Sequence, residues 1–140
     1  LVGSEMCIRD SLFSLAPEES AKHIINSFGV RLVYVTCGAE GCFYRTKTAS
    51  GFVKALSGIA VKDTTGAGDI FGGSAVSRFL ELGKAPEALT RDDLAYMARY
   101  AAAAASLSTE ASGAIPSIPK KEAVLQKMQE AYCVQADAHR

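Results

Sequence analysis

At 140 residues the chain fits one domain and is long enough to bury a core. Apolar residues make up 49% and charged residues 21%, which excludes a disordered polar chain. Fifteen basic and fifteen acidic residues cancel, so no charge excess points to nucleic acid or to an anionic membrane.

The chain opens on Leu1, and residues 1–10 (Leu-Val-Gly-Ser-Glu-Met-Cys-Ile-Arg-Asp) share no pattern with the other 130. We read them as a leader of non-native character, like translated adapter sequence, and place the folded unit at residues 11–140. The first residue is not methionine, so we expect a start inside a longer reading frame or after processing. A short genuine leading strand is the alternative.

Pro17 opens a helical pattern in which Ala21, Ile24, Ile25 and Phe28 recur at helix spacing, and Gly29 stops it. Leu32-Val33-Tyr34-Val35 is then a continuous apolar run, expected as a strand buried on both faces of a parallel sheet. Cys42–Arg45 and Gly51–Ala55 read as short strands around a polar turn, Thr46 to Ser50. A third strand is expected near Ile59–Val61. After Gly68 a helix is predicted to about Leu82, with Gly83 as its stop. Thr90-Arg-Asp-Asp93 has the form of a capping box opening a helix through Leu107, in which Ala101–Ala105 is a packing run. Pro119 begins a last amphipathic helix with Ala123, Val124, Met128, Ala131 and Tyr132 as its apolar positions.

The four cysteines (Cys7, Cys37, Cys42, Cys133) have no zinc or redox-pair spacing, so reduced thiols and a cytoplasmic location are expected. His23 and His139 are too far apart to suggest a metal site. The longest apolar stretch, Tyr100 to Leu107, is too short to span a bilayer.

Asp63-Thr64-Thr65-Gly66-Ala67-Gly68-Asp69 carries the chemistry. Small residues at a helix start leave backbone N–H groups bare, and the helix dipole adds positive charge there, so an anion with several oxygens suits the spot. Asp69 on its rim is suited to taking a proton from an attacking hydroxyl. A tight turn with an aspartate as helix cap explains the same seven residues without a ligand. Gly72-Gly73 in the helix interior costs about 1 kcal/mol per glycine relative to alanine. Either a ligand or a neighbouring helix would have to approach that face closely.

The heptapeptide, followed by an aromatic residue and small residues, resembles the signature of the ribokinase or PfkB carbohydrate kinases. Val35-Thr36-Cys37-Gly38-Ala39-Glu40-Gly41 resembles that family's Thr-x-Gly-x-x-Gly nucleotide loop. Gly113-Ala114-Ile115-Pro116-Ser117-Ile118-Pro119 resembles its closing segment. Three motifs in order over roughly residues 20–130 make the match specific.

The resemblance implies a three-layer α/β/α ribokinase-like fold, present as its C-terminal portion. It implies ATP-dependent phosphoryl transfer to a sugar hydroxyl, of fructose or ribose type. A nucleoside, a phosphosugar or a keto-deoxy acid is the alternative substrate, and a catalytically idle nucleotide-binding module the alternative function. Asp69 is implied as catalytic base, Gly66, Ala67 and Gly68 as anion hole, and Thr36, Gly38 and Gly41 as nucleotide contacts. Asp63 and Ser117 are implied at a monovalent-cation site for K+, while the longer Ser108–Ser112 segment departs from that pattern. Alternatively Asp63 caps a loop and Ser117 lies near a helix start. Mg2+ would arrive with ATP. The Asn-x-x-Glu motif and the sugar-pocket strands of the family are missing, which implies that the chain is inactive alone. The resemblance is compatible with a homodimeric full-length parent, with no nucleic acid and no membrane partner.

Overall fold

The computed structural model describes residues 16–137, and the leader at 1–10, with Cys7, and His139 lie outside the described residues. In chain order the elements are α1 (Pro17–Phe28), β1 (Val33–Thr36), β2 (Gly41–Arg45), β3 (Ser50–Lys54), α2 (Ala67–Leu82), α3 (Arg91–Ser108) and α4 (Lys121–Asp137). Short 3-10 turns occupy Gly38–Glu40 and Pro86–Ala88.

α1 starts at Pro17, whose missing N–H would have had no intrahelical partner anyway, and Glu18 and Glu19 suit the positive end of the helix dipole. It ends where predicted: Gly29 is left-handed and its N–H closes onto the Ile25 carbonyl. Ala21, Ile24 and Ile25 are buried. Phe28 shares their period but is 66% exposed, packing edge-on against His23 at the solvent end of the helix.

The sheet corrects one expectation. β1 is buried as expected, yet its pairing with β2 is antiparallel, with Tyr34 opposite Tyr44 and Val35 opposite Phe43. β2 pairs antiparallel with β3, giving the order β1-β2-β3. The cause is the connection: the segment from Cys37 to Glu40 is far too short for the crossover that parallel strands require, so the chain folds straight back.

Alternation along the strands sorts the side chains into two cores. Val33, Val35 and Phe43 pack on the α1 residues Ala21, Ile24 and Ile25. Leu32, Tyr34, Cys42, Tyr44 and Val53 pack on Phe71 and Ala75 of α2 and Leu94 and Met97 of α3. Helix, sheet and helix therefore form the three expected layers, with α4 added outside α3 through Val124 against Tyr100, Ala103 and Ala104. Cys37 and Cys42 are thiols divided between the two cores and not joined by a disulfide.

The strand expected near Ile59–Val61 does not form. Val61 is 60% exposed, and the N–H groups of Lys62 and Asp63 both donate to the Thr109 carbonyl at 2.7 and 3.1 Å. The chain leaving this segment is thus tied to the end of α3 instead of to the sheet, and Ala60 N–H donates to the Glu110 carboxylate there. α2 ends at Gly83, the predicted stop, which is left-handed. The capping box is complete: Asp93 N–H donates to Thr90 Oγ1 at 3.1 Å, and Thr90 N–H donates to Asp93 Oδ2 at 2.9 Å. No described helix is long and apolar enough to cross a membrane.

Candidate active site

Two loops that are distant in sequence meet at one cavity. It has a volume of about 430 Å³, within the range of sites for small ligands. Thr36, Gly38 and Gly41 line it from the β1–β2 turn, and Thr64, Ala67 and Gly68 line it from the start of α2. Leu56, Ile59, Ala102 and Ala105 supply alkyl walls. Gly66, Asp63, Asp69 and Ser117 are not among the lining residues.

The helix start is built by Gly66. It sits at the cap position with φ of 78°, a left-handed conformation that favours glycine. A Cβ there would also lie 2.6 Å from the Ala114 Cβ, so the position requires glycine for space as well. Helical residues begin at Ala67, which puts Asp69 in the first turn with no side-chain bond to the backbone. The carboxylate of Asp69 is exposed and does not act as the cap. Of the orphan amides, Ala67 N–H donates to the Thr64 carbonyl at 3.2 Å. Gly68 and Asp69 N–H have no backbone acceptor among the described residues, and this is the bare donor pair at a positive helix end.

Asp63 ties this loop to the segment after α3. Its Oδ1 accepts Thr65 N–H and its Oδ2 accepts Gly113 N–H, both at 2.9 Å. These bonds, Gly113 first, hold its carboxyl down at about 2 against an ordinary 3.8. Ser117, largely buried, donates its hydroxyl to the Ala114 carbonyl at 2.8 Å. Asp63, Gly66, Gly113, Ala114 and Ser117 thus form one fixed corner behind the helix start.

Gly41 has a structural reason of its own. Its φ is 131°, and a Cβ would fall 2.1 Å from the Val53 carbonyl oxygen, so β3 can pair closely only with glycine at that position. A methyl group at Gly72 or Gly73 would meet nothing within 4 Å, so among the described residues no neighbouring helix accounts for this pair.

Sequence reasoning missed the cavity walls. Ala101–Ala105 reads as packing alone, and Ala101, Ala103 and Ala104 do pack. Ala102 and Ala105 also border the hollow, and a run of small residues on one helix was the available signal. No group of three or more His, Cys, Asp or Glu able to hold a metal occurs among the described residues.

Residues 8–121 match the model of the pfkB family carbohydrate kinases. The chain is 35% identical over 103 residues to fructokinase-1 of Zea mays, covering 73% of this chain and 31% of that protein. It is 34% identical over 120 residues to the ribokinase of Haemophilus influenzae, covering 84% of this chain and 36% of that protein. Among solved structures, the ribokinase of Arabidopsis thaliana, complexed with ribose and ATP, superposes with a TM-score of 0.70 at 25% identity. That match covers 91% of this chain and 40% of the other. The chain therefore spans about a third of the length of the relatives it matches, and it belongs to the pfkB family of carbohydrate kinases.

Proposed function

We propose that the chain is the nucleotide-side portion of a carbohydrate kinase that transfers the γ-phosphoryl group of ATP to a hydroxyl of a fructose-like or ribose-like sugar. One observation carries this reading: the β1–β2 turn and the start of α2 line the same cavity, with Asp69 one residue beyond it. The alkyl walls suit the face of a base, and the bare amides at the helix start suit the phosphates.

Asp69 would accept the proton of the sugar hydroxyl as that oxygen attacks the γ-phosphorus, and its exposure leaves room for the sugar to approach. The amides of Gly68 and Asp69 would hold charge developing on the transferred phosphoryl oxygens, while Gly66 fixes their direction. Each such preorganised donor is worth about 3 kcal/mol in the transition state. Among the described residues no lysine or arginine lines the cavity, so Mg2+ brought in on the ATP phosphates would supply the remaining countercharge. A monovalent cation such as K+ at Asp63 and Ser117 would have to share oxygens that already hold the loops together. Because the chain covers about a third of its relatives, the sugar pocket would come from sequence outside these residues, and the chain alone would bind nucleotide without turning it over.

The test is calorimetry of Mg·ATP binding to the chain, with Gly68→Val as the blocked site, together with turnover by the longer polypeptide carrying it. Asp69→Asn should leave ATP affinity within about twofold and lower phosphoryl transfer by about 10²- to 10⁴-fold. Unchanged turnover in Asp69→Asn would remove the base, and absence of turnover on every alcohol tried would favour an idle nucleotide-binding module.

A further inference from the structure

The last helix reaches across the fold to the edge of the cavity. Tyr132 of α4 donates its hydroxyl to the Lys54 carbonyl at the end of β3, at 2.8 Å and 78 residues away in sequence. Its ring packs against two of the buried clusters, and the Arg99 guanidinium stands 5.7 Å from the ring centroid. Burial pushes the phenol up to about 12, against the pull of Arg99, so at neutral pH it stays protonated and able to donate. Neither Tyr132 nor Lys54 lines the cavity, but Gly41, Ala55 and Leu56 do. Ala55 N–H donates to the Glu40 carbonyl at 3.3 Å, and a Cβ on Gly41 would lie 2.8 Å from the Lys54 Cα. The end of β3 is therefore in direct contact with the turn that carries Gly38 and Gly41. Leu56, next along the wall, clusters with Val124 of the same α4.

β3 pairs with β2 alone among the described residues, so nothing in the sheet holds its other edge. Two contacts from α4, one hydrogen-bonded and one apolar, hold the Lys54–Leu56 stretch in its place. Resting on the nucleotide site proposed above, we infer that Tyr132 is a positioning residue for that site. Through the Lys54 carbonyl it keeps the Ala55–Leu56 wall and the Gly38–Gly41 turn in the geometry that receives the nucleotide. It touches no ligand and acts only through the wall. Without its hydroxyl the wall leaves that geometry part of the time. The apparent dissociation constant then rises by the inverse of the fraction still in place. One neutral hydrogen bond is worth about a factor of three to ten in such an equilibrium.

The experiment is calorimetry of Mg·ATP binding to the full chain and to its Tyr132→Phe and Thr90→Ala variants, at a temperature where circular dichroism shows all three folded. Tyr132→Phe keeps the ring and removes only the hydroxyl, and should raise the dissociation constant about three- to tenfold. Thr90→Ala removes a helix cap that does not line the cavity, so it should lower stability and leave the dissociation constant unchanged. Equal affinity in wild type and Tyr132→Phe, with Gly68→Val still blocking, overturns the inference and leaves the nucleotide site standing. An equal loss of affinity in both variants overturns it as well, because a role in stability alone produces that result. If the wild-type chain binds no Mg·ATP, the nucleotide site falls and the inference with it. Should Tyr132→Phe not fold, the wild type decides. Coupling is reciprocal, so saturation with Mg·ATP should shift the Tyr132 ring signals in NMR, and unmoved signals overturn the inference.

Discussion

Asp63 shows how much one half-buried carboxylate can organise. Its two oxygens receive N–H groups from Gly113 and Thr65, so it joins the turn before α2 to the segment after α3. The carboxyl is held at about 2 because both bonds favour the charged form. A group whose pKa falls on folding contributes stability above its unfolded value, here 3.8, and gives that contribution up as the pH drops through about 2. The latch is therefore fully formed at neutral pH and weakens only in strong acid. Following the Asp63 side-chain carboxyl carbon by NMR should give a midpoint near 2, with the Gly113 amide shift moving on the same curve. A midpoint at the ordinary 3.8 would mean that the two loops are not joined through this residue. Asp69, six residues on, has the opposite character: exposed, outside the cap, and available for chemistry.

Among the elements, α3 owes its start to four consecutive residues. Thr90 and Asp93 exchange backbone bonds, and Lys84 adds a charge-assisted bond to Asp93 Oδ2 at 2.7 Å. Replacing Thr90 with alanine removes the acceptor for Asp93 N–H and should cost about 1 kcal/mol, while Thr90→Ser should cost less than half of that. Urea denaturation of the two variants checks this, and equal stabilities would show that the box contributes nothing. Such features were legible in the sequence because their physics is local. The Gly29 and Gly83 stops and the capping box each depend on residues within one turn, whereas the start of α2, expected after Gly68, falls earlier at Ala67 with Gly66 as its cap, packed against the distant Ala114. The direction of β1 pairing was not local in that sense: apolar character told that the strand is buried, while the short Cys37–Glu40 connection decided antiparallel pairing. Arg78 was equally invisible. It lies 5% exposed in α2, 4.3 Å over the Tyr100 ring and ion-paired with Glu81, and nothing beside it in the sequence separates it from a solvated arginine. At the site, motif spacing pointed to the two loops, whereas the hollow between them depends on alanines of α3 meeting Leu56 and Ile59 across the fold.

On the scale of the whole molecule, two surfaces stand open among the described residues. β1 is buried on both faces by helices, as a central strand would be, yet it ends the order β1-β2-β3 and its outer edge has no strand partner among the described residues. Edge strands in stable proteins are usually guarded by charge, proline or a bulge, and Val33-Tyr34-Val35-Thr36 carries none of these. The second surface is the side of α2 on which Asp69, Gly73, Val76 and Leu80 succeed one another at helical spacing. Leu80 is 69% exposed and Val76 37% exposed, and fully burying a side chain of that kind is worth about 1.5–3 kcal/mol. Both surfaces favour association of one copy with another whenever no further chain covers them. Sedimentation velocity on the purified chain should therefore show a weight-average mass that rises with concentration above 14.7 kDa. The paired substitution Val76→Lys and Leu80→Glu removes apolar area from α2 without touching either core, and should shift that rise to higher concentration. Residual association in the paired variant would then report on the β1 edge, and a lysine at Val33 would be the wrong probe because that side chain is buried beneath α1. Thr36, only partly buried at the end of the strand, is the better position for a guarding charge, although it also borders the cavity. A wild-type chain that stays at a single monomer mass across the whole concentration range, and unfolds reversibly in one step, would show that these open surfaces are not adhesive.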